Sequence, residues 1–588
     1  MTHNSWKRKT DKEKGKEEKA TERGSVRDEA EGKGEGGVQS TERAVGVAGT
    51  HCVRVRGVHS AQQEEVVHST AAEESEIRKL SMALLSVPGA LLSSGCSSLL
   101  LLGLFLATFL LCLDFLKRRK SWNTALPGPP SRPLVGNLLQ LDFNNLHQSF
   151  TQLSKKYGNI FRLQMGWMNL VVVSGYEAVK DALVNKSEDT ADRPPVLLLK
   201  KLGFNKNCEG ILFARYGRGW KETRRFSIST LRNFGLGKKS LAERISQEAS
   251  CLCTAFESEE GHPFDPHFLV NNAVGNVICS IIFGDRFEYT DKKFQRMLHL
   301  FEESLKSGGG LLPQLMNLIP ALMNIPWLLR KVIQPQMDIF SFIKEIIKEH
   351  QETLNPEITR DLMDAFLFEI EKVKDDPSSN FCHGSLLLVI NDLFAAGTET
   401  TSTTLRWGLL YMLLYPGVQK RVHEEIDCVI GRDRKPMMED QINLPFTNAV
   451  IHEIQRYGDI VPLSLPHMTC RDTEIQGYFV PKGVTIFTNL SSVLKDESVW
   501  EMPHQFHPEH FLDADGNFMK REAFMPFSAG RRVCLGEQLA RMELFLFFTT
   551  LLQRFTFTIP AKQARPRDDS FFALTRSPVP YQICAQLR

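Results

Sequence analysis

The chain has 588 residues, a formal net charge of +2 and 42% hydrophobic residues. That length permits several domains, and the apolar fraction suits a globular protein with a sizeable core. Balanced charge and the lack of any recognised nucleic-acid module argue against DNA or RNA as a partner. The twelve cysteines form no C-x-x-C pair, which excludes zinc spacing, and most read as reduced thiols facing the cytosol.

Residues 1–81 are rich in Lys, Glu, Gly and Ser and poor in aromatics. Such a segment buries too little apolar surface to offset its ordering entropy and is expected to be disordered. Met82 opens a stretch that looks like a natural start, so 1–81 reads as a translated upstream extension or an uncertain gene model, outside the native protein. Residues 82–116 end in the nearly pure apolar run Leu99–Leu116, long enough with its weaker lead to span a bilayer as an uncleaved signal anchor. Residues 117–136 hold the basic cluster Lys117-Arg118-Arg119-Lys120, which stays cytosolic by the positive-inside rule, and then the proline-rich stretch Leu126-Pro127-Gly128-Pro129-Pro130, stiffened into an extended path. Residues 137–588 read as the main globular domain.

In that domain, residues 158–174 read as a hairpin, and helical periodicity dominates from there to about residue 460. Trp220 and Arg224 are four apart, so indole and guanidinium share a helical face and can reach one anion. The run from Leu311 to Leu329 is apolar yet broken by prolines, which suits contact with the membrane interface as well as buried packing. Residues 385–415 form a long apolar helix containing Ala396-Gly397-Thr398-Glu399-Thr400-Thr401. Gly397 and the threonines are weak helix formers, and a Thr hydroxyl bonding back four residues bends a helix, so a local opening is expected. Asp392 lies two turns before Thr400 on the same face; it reads either as a carboxylate for a cationic ligand or as one bonded to local backbone. Glu453 and Arg456 are three apart on a helix and can pair.

The stretch Phe524–Arg541 carries Phe527, Gly530, Arg532, Cys534 and Gly536 in the string F-x-x-G-x-R-x-C-x-G. A cysteine ahead of a helix faces amide N–H groups that stabilise a thiolate, and a thiolate on a stiff loop can be the axial ligand of a haem iron. A lone cysteine is more often simply buried, but the string resembles the haem-binding loop of the cytochrome P450 family at every fixed position. A-G-T-E-T-T, W-x-x-x-R and E-x-x-R resemble other motifs of that family. Longer strings such as D-T-A-D-R-P-P and S-T-L-R-N-F-G-L-G-K-K-S-L resemble microsomal family 2, subfamily D, the drug-metabolising monooxygenases.

The resemblance implies a mainly α fold with a small β region, preceded by the anchor helix in the endoplasmic reticulum membrane, with the catalytic domain on its cytosolic face. It implies haem b with Cys534 as axial ligand and Phe527, Gly530 and Gly536 shaping the loop. Trp220, Arg224, Arg532, His467 and Arg193 would hold the propionates. Thr400 and Glu399 would support oxygen activation. Asp392 and Glu303 would favour basic amines, in a cavity lined by Leu212, Phe572 and Leu574. Glu453 and Arg456 would lock the core; His510 stands where many relatives carry arginine. Implied partners are a small lipophilic substrate, O2, membrane lipid, NADPH–cytochrome P450 reductase and cytochrome b5, with NADPH acting only through the reductase. Arg224, Arg225, Arg232, Lys238 and Lys239 read as the reductase dock. Two rivals are a haem-thiolate isomerase or dehydratase on lipid peroxides, which the Glu399–Thr400 pair disfavours, and a non-catalytic haem carrier or sensor.

Overall fold

A computed structural model describes residues 95–121, 126–132, 135–166, 168–204, 210–309, 311–376, 379–572 and 574–588. The extension 1–81 and the lead of the anchor segment lie outside these residues, as do the side chains of the basic cluster at 117–120. The chain divides into two units, Met1–Ser97 and Ser98–Arg588, and every strand among the described residues lies in the second.

The long helices are α1 (Gly95–Ser121), α2 (Arg218–Asn233), α3 (Lys239–Glu257), α4 (His267–Ile282), α5 (Lys292–Gly309), α6 (Pro326–Glu352), α7 (His383–Leu414), α8 (Pro416–Val429), α9 (Pro445–Gly458) and α10 (Glu537–Arg554). The strands are β1 (Ile160–Met165), β2 (Met168–Ser174), β3 (His467–Met468), β4 (Thr473–Ile475), β5 (Tyr478–Val480), β6 (Thr485–Asn489), β7 (Phe555–Thr558), β8 (Ser570–Phe572), β9 (Arg576–Pro578) and β10 (Cys584–Leu587). One four-stranded sheet has the order β1-β2-β6-β3, and three two-stranded pairs join β4 to β5, β7 to β10 and β8 to β9. The expected hairpin is β1–β2, antiparallel with Ile160 opposite Val173. Among the described residues no helix is long and apolar enough to cross a membrane. In α1 the side chains of Leu100, Leu104 and Phe105 are exposed.

Helix α7 runs through the centre. Every residue from Thr401 to Leu414 is buried, as expected of a helix surrounded by others rather than lying on a surface. Trp407 stacks on Tyr411 at 5.4 Å, and fully burying each ring contributes roughly 2–3 kcal/mol. Gly397 serves packing rather than bending. The helix is unbroken from His383 to Leu414, and a Cβ at Gly397 would collide with Ile278 of α4. Its missing side chain therefore lets α4 and α7 approach closely.

The proline-rich stretch is already part of the folded body. Leu126 is buried, the carbonyl of Pro127 accepts the Arg162 N–H at 2.8 Å, and a Cβ on Gly128 would collide with the Arg162 carbonyl. Prolines fix φ and lack an amide donor, so this segment lies on β1 as an extended edge without continuing the sheet.

Candidate active site

The cysteine loop owes its shape to two contacts. Gly530 has φ +73°, and a Cβ there would overlap the Leu183 carbonyl, so only glycine fits. The Cys534 N–H then donates to the Phe527 carbonyl at 3.0 Å and closes the turn. Arg541 of α10 braces the loop: its guanidinium lies 5.1 Å from the Phe527 ring centroid and bonds to Glu537 and His452. Gly536 differs from the sequence expectation. Its φ is −90°, which any residue can adopt, and a Cβ there would meet nothing within 4 Å. It leaves room beside the cysteine instead of permitting the turn.

The Cys534 thiol is accessible, yet desolvation raises its pKa above the usual thiol range. Opposing the desolvation are the backbone N–H groups of Gly536 and Glu537 and the charge of Arg224. These are the groups that would stabilise a thiolate once an iron took the proton's place.

A cluster of donors surrounds the opposite end of the loop. Arg532 stacks 3.9 Å from the Trp220 ring centroid and donates to the carbonyls of Ala191 and Ala214, both at 2.7 Å. Trp220 Nε1 donates to the Ile211 carbonyl at 3.2 Å. Arg224 donates to the carbonyl of Val533, and Arg193 to those of Leu212, Leu465 and Pro466. Burial, with Arg532 and Arg224 as neighbours, depresses the pKa of Arg193, and only Asp192 opposes this. That carboxylate is already engaged by Arg215 through both oxygens.

His467 belongs to the same cluster. It is 2% exposed, and its Nδ1 lies 2.9 Å from the Thr190 carbonyl. A carbonyl only accepts, so Nδ1 carries the proton. Nε2 is buried without a partner. Burial, then Arg193, hold the imidazole well below its ordinary pKa. Three guanidiniums, an indole and an orphaned imidazole nitrogen thus converge with little negative charge among them. A carboxylate-bearing ligand would relieve that repulsion, and its negative charge would favour a second proton on His467 Nε2, which would then donate to it; this is the chemistry of haem propionates. Together with the accessible Cys534 thiol and the free space beside Gly536, the residues present fit the haem.

On the facing helix, Thr400 Oγ1 donates to the Ala396 carbonyl at 2.7 Å. The back-bond expected from sequence is present, without a break in the helix. Glu399 Oε1 accepts the hydroxyls of Thr575 at 2.7 Å and Thr403 at 3.2 Å. The hydroxyl of Thr398 is buried without a partner.

Asp392 is buried, and its Oδ2 accepts the backbone N–H groups of Ile211 at 2.7 Å and Leu212 at 3.0 Å. Burial raises its pKa to about 6 against the pull of those two bonds. A Cβ on Gly210 would collide with the same oxygen. The backbone-bonded alternative for Asp392 is therefore realised in one oxygen. Glu303 is not brought to it: its side chain is 56% exposed on α5 and pairs with His299 at 3.6 Å. Leu212 is half-buried, Phe572 packs beside His147, and Leu574 is exposed.

Glu453 and Arg456 form a fully buried bidentate pair at 2.7 Å. Arg456 also donates to the carbonyls of Leu494, Pro503 and Gln505. His510 completes the group. The Met502 N–H donates to its Nε2 at 3.2 Å, which leaves the proton on Nδ1, 3.3 Å from Glu453 Oε2.

Sequence reasoning missed Glu543. It is 1% exposed on α10 and accepts the Thr401 hydroxyl at 3.1 Å, with Oε1 unpartnered. Burial pushes its pKa up to about 8. A single acid within the apolar run R-M-E-L-F-L-F-F was the available signal. The large cavity of about 870 Å³ between α3, residues 435–441 and the start of α10 includes none of Cys534, Thr400 or Asp392 in its walls. It is a surface groove away from the chemistry.

The family model described as Cytochrome P450 matches residues 126–585. The chain is 54% identical over 489 residues to cytochrome P450 2D15 of Canis lupus familiaris, covering 83% of this chain and 98% of that protein. It is 53% identical over 493 residues to human cytochrome P450 2D6, covering 84% and 99%. It is 54% identical over 486 residues to cytochrome P450 2D14 of Bos taurus, covering 82% and 97%. Proteins of this family hold haem b on a cysteine thiolate and take electrons from a partner reductase. With the loop, the donor cluster and the threonine helix in one body, and with these relatives, the chain belongs to the cytochrome P450 family, within family 2 and resembling subfamily D.

Proposed function

We propose that this haem-thiolate monooxygenase holds its haem on Cys534. It inserts one oxygen atom from O2 into small lipophilic molecules, basic amines, fatty acids and steroids among them, with NADPH-derived electrons from NADPH–cytochrome P450 reductase. The observation that carries the reading is the accessible Cys534 thiol at the start of α10, in one body with the cation-rich donor cluster around the orphaned His467 nitrogen.

The haem, when bound, supplies the redox centre at which O2 is activated. Cys534 would ligate it as the thiolate that the Gly536 and Glu537 amides and Arg224 favour. Arg224, Arg193 and Arg532 would neutralise its carboxylates beside Trp220 and His467, and Gly536 leaves space beside the thiolate. Thr400 Oγ1 and the Glu399 carboxylate would hold and pass protons on the facing helix, work best done by a fixed side chain. Asp392 would act twice, fixing the 210–212 loop through Oδ2 and attracting a protonated amine through its charge in a low-dielectric wall.

At the periphery, residues 82–116 would serve as the anchor in the endoplasmic reticulum membrane, with the catalytic domain on the cytosolic face. The exposed Ile319 and Trp327 touch lipid. Arg225, Arg232, Lys238 and Lys239 are exposed and form the face that meets the reductase and cytochrome b5. The acid–threonine pair at 399–400 keeps the isomerase and carrier readings in second place.

The test is spectroscopic. Reduced, carbon-monoxide-treated holoprotein should show the red-shifted Soret band of a sulfur-ligated haem, and Cys534→Ala should lose it. Haem-loaded, folded wild type without that band would overturn the assignment. NADPH- and reductase-dependent product formation from a panel of amines, fatty acids and steroids then separates turnover from carriage.

A further inference from the structure

A ring of hydroxyls surrounds one oxygen of Glu399. Thr575 Oγ1 lies 2.7 Å from Glu399 Oε1, and Thr403 Oγ1 lies 3.2 Å from it. Behind them the Ser577 hydroxyl is 3.4 Å from that of Thr575 and 3.5 Å from that of Thr403. Thr575 is 5% exposed and Ser577 3%. A carboxylate only accepts, so both threonines donate to it. Bonds to an ionised acceptor are about twice as strong as neutral ones, and linked hydroxyls polarise one another.

Thr575 is placed independently of Glu399. It sits in the turn between β8 and β9, whose strands pair Phe572 with Arg576. Arg576 ties that turn down: its N–H donates to the Ile460 carbonyl at 2.8 Å, and its side chain bonds to the Gly458 carbonyl and the Ser570 hydroxyl. The hairpin is thus a fixed post and Glu399 a flexible side chain moored to it by Oε1. Among the described residues no hydrogen bond to Oε2 is formed, and this oxygen remains open for proton exchange.

We propose that Thr575, backed by Ser577, is a positioning residue for Glu399: it pins Oε1 so that Oε2 is presented beside Thr400 for proton transfer. This rests on the reading of Glu399 as a proton-carrying group. Without the Thr575 hydroxyl the carboxylate would sample other rotamers, and proton delivery would lose to unproductive release of reduced oxygen.

The experiment uses the full-length holoenzyme with reductase and measures product formed per NADPH consumed between pH 6 and 9, with the reduced carbon monoxide spectrum as the folding control. Thr575→Val should lower that ratio about fivefold, what one ordinary hydrogen bond is worth, and should alter its pH profile. Thr575→Ser should restore both. Glu399→Gln should fall at least as far, and Glu399→Gln combined with Thr575→Val no further. Independently of turnover, the melting temperatures of the two single variants and the double should be non-additive. If Thr575→Val loses the spectrum, Thr575→Ala takes its place. Unchanged coupling in the Thr575 variants, equal damage by Val and Ser, or additive effects with Glu399→Gln would overturn the positioning role while leaving Glu399 in place. A Glu399→Gln enzyme with wild-type coupling would remove both the relay and its post.

Discussion

The carboxylate of Asp392 accepts the Ile211 N–H at 2.7 Å, while the carbonyl of the same Ile211 accepts the Trp220 indole N–H at 3.2 Å. One residue's backbone therefore joins the proposed substrate acid on α7 to the proposed haem-holding helix α2. Its neighbour Leu212 is tied on both sides too, by Asp392 and Arg193.

That linkage separates the two roles of Asp392. Asp392→Asn keeps an oxygen acceptor for the loop but loses the charge, so cationic amines should bind more weakly while neutral ligands bind as before, measured by ligand-induced spectral titration. Asp392→Ala strands two buried N–H donors and should cost about 1–3 kcal/mol of stability for each one left unpaired. Because the acid is held near 6, the wild-type preference for amines should fade as pH drops through that value and the carboxylate takes a proton. Equal losses for neutral and cationic ligands in the Asn variant would refute charge recognition.

Gly530 and Gly536 should respond oppositely to alanine. At Gly530 the positive φ and the Leu183 carbonyl leave no space, so Gly530→Ala should destabilise the fold by several kcal/mol, roughly 3 or more. At Gly536 the backbone accepts alanine and its Cβ points into open space. The apoprotein should keep its far-UV dichroism and melting temperature, while haem affinity drops. Equal loss of the fold in both variants would contradict this division.

Glu543 should make stability depend on pH. Its pKa is raised to about 8 from an ordinary 4.5 by burial, so the folded state keeps a proton that the unfolded chain releases. Stability from this group is full below about 4.5 and declines as pH rises through 8, by at most roughly 5 kcal/mol. Glu543→Gln stays neutral and should flatten the fall in melting temperature between pH 6 and 8.5. A variant with the wild-type slope would show that the acid is ionised in the fold.

Removing one member of the Glu453–Arg456 pair strands the other charge in the core. Arg456→Ala should cost about 3–5 kcal/mol and abolish holoprotein recovery. His510→Ala removes only the acceptor for the Met502 N–H and one donor to Glu453, so about 1–2 kcal/mol is expected. Chemical unfolding of the two variants measures the difference, and a His510→Ala loss as large as that of Arg456→Ala would mean the histidine carries charge in this group.

Helical spacing made several of these features legible early. The α7 helix, the β1–β2 hairpin, the Thr400 back-bond and the Glu453–Arg456 pair are all relations between residues close in the chain. Where sequence reasoning misjudged, the deciding contact was remote. Gly397 looked like a weak point in a helix until Ile278 of α4 was found against it. Glu303 looked like a cavity acid, yet its turn of α5 faces solvent. The partners that give Glu543 and Thr575 their interest, Thr401 and Glu399, are both remote in the chain.

From its sequence alone this protein carried the pattern of its cysteine loop, its threonine helix and its family, because a motif of closely spaced residues keeps its meaning wherever the chain folds. Tertiary structure alone decided that Ile211 joins Asp392 to Trp220, that His510 can complete the Glu453 group, and that Thr575 meets Glu399 from 176 residues away. Such contacts depend on which surfaces are buried against each other, and burial sets both the strength of a hydrogen bond and the cost of leaving it unmade.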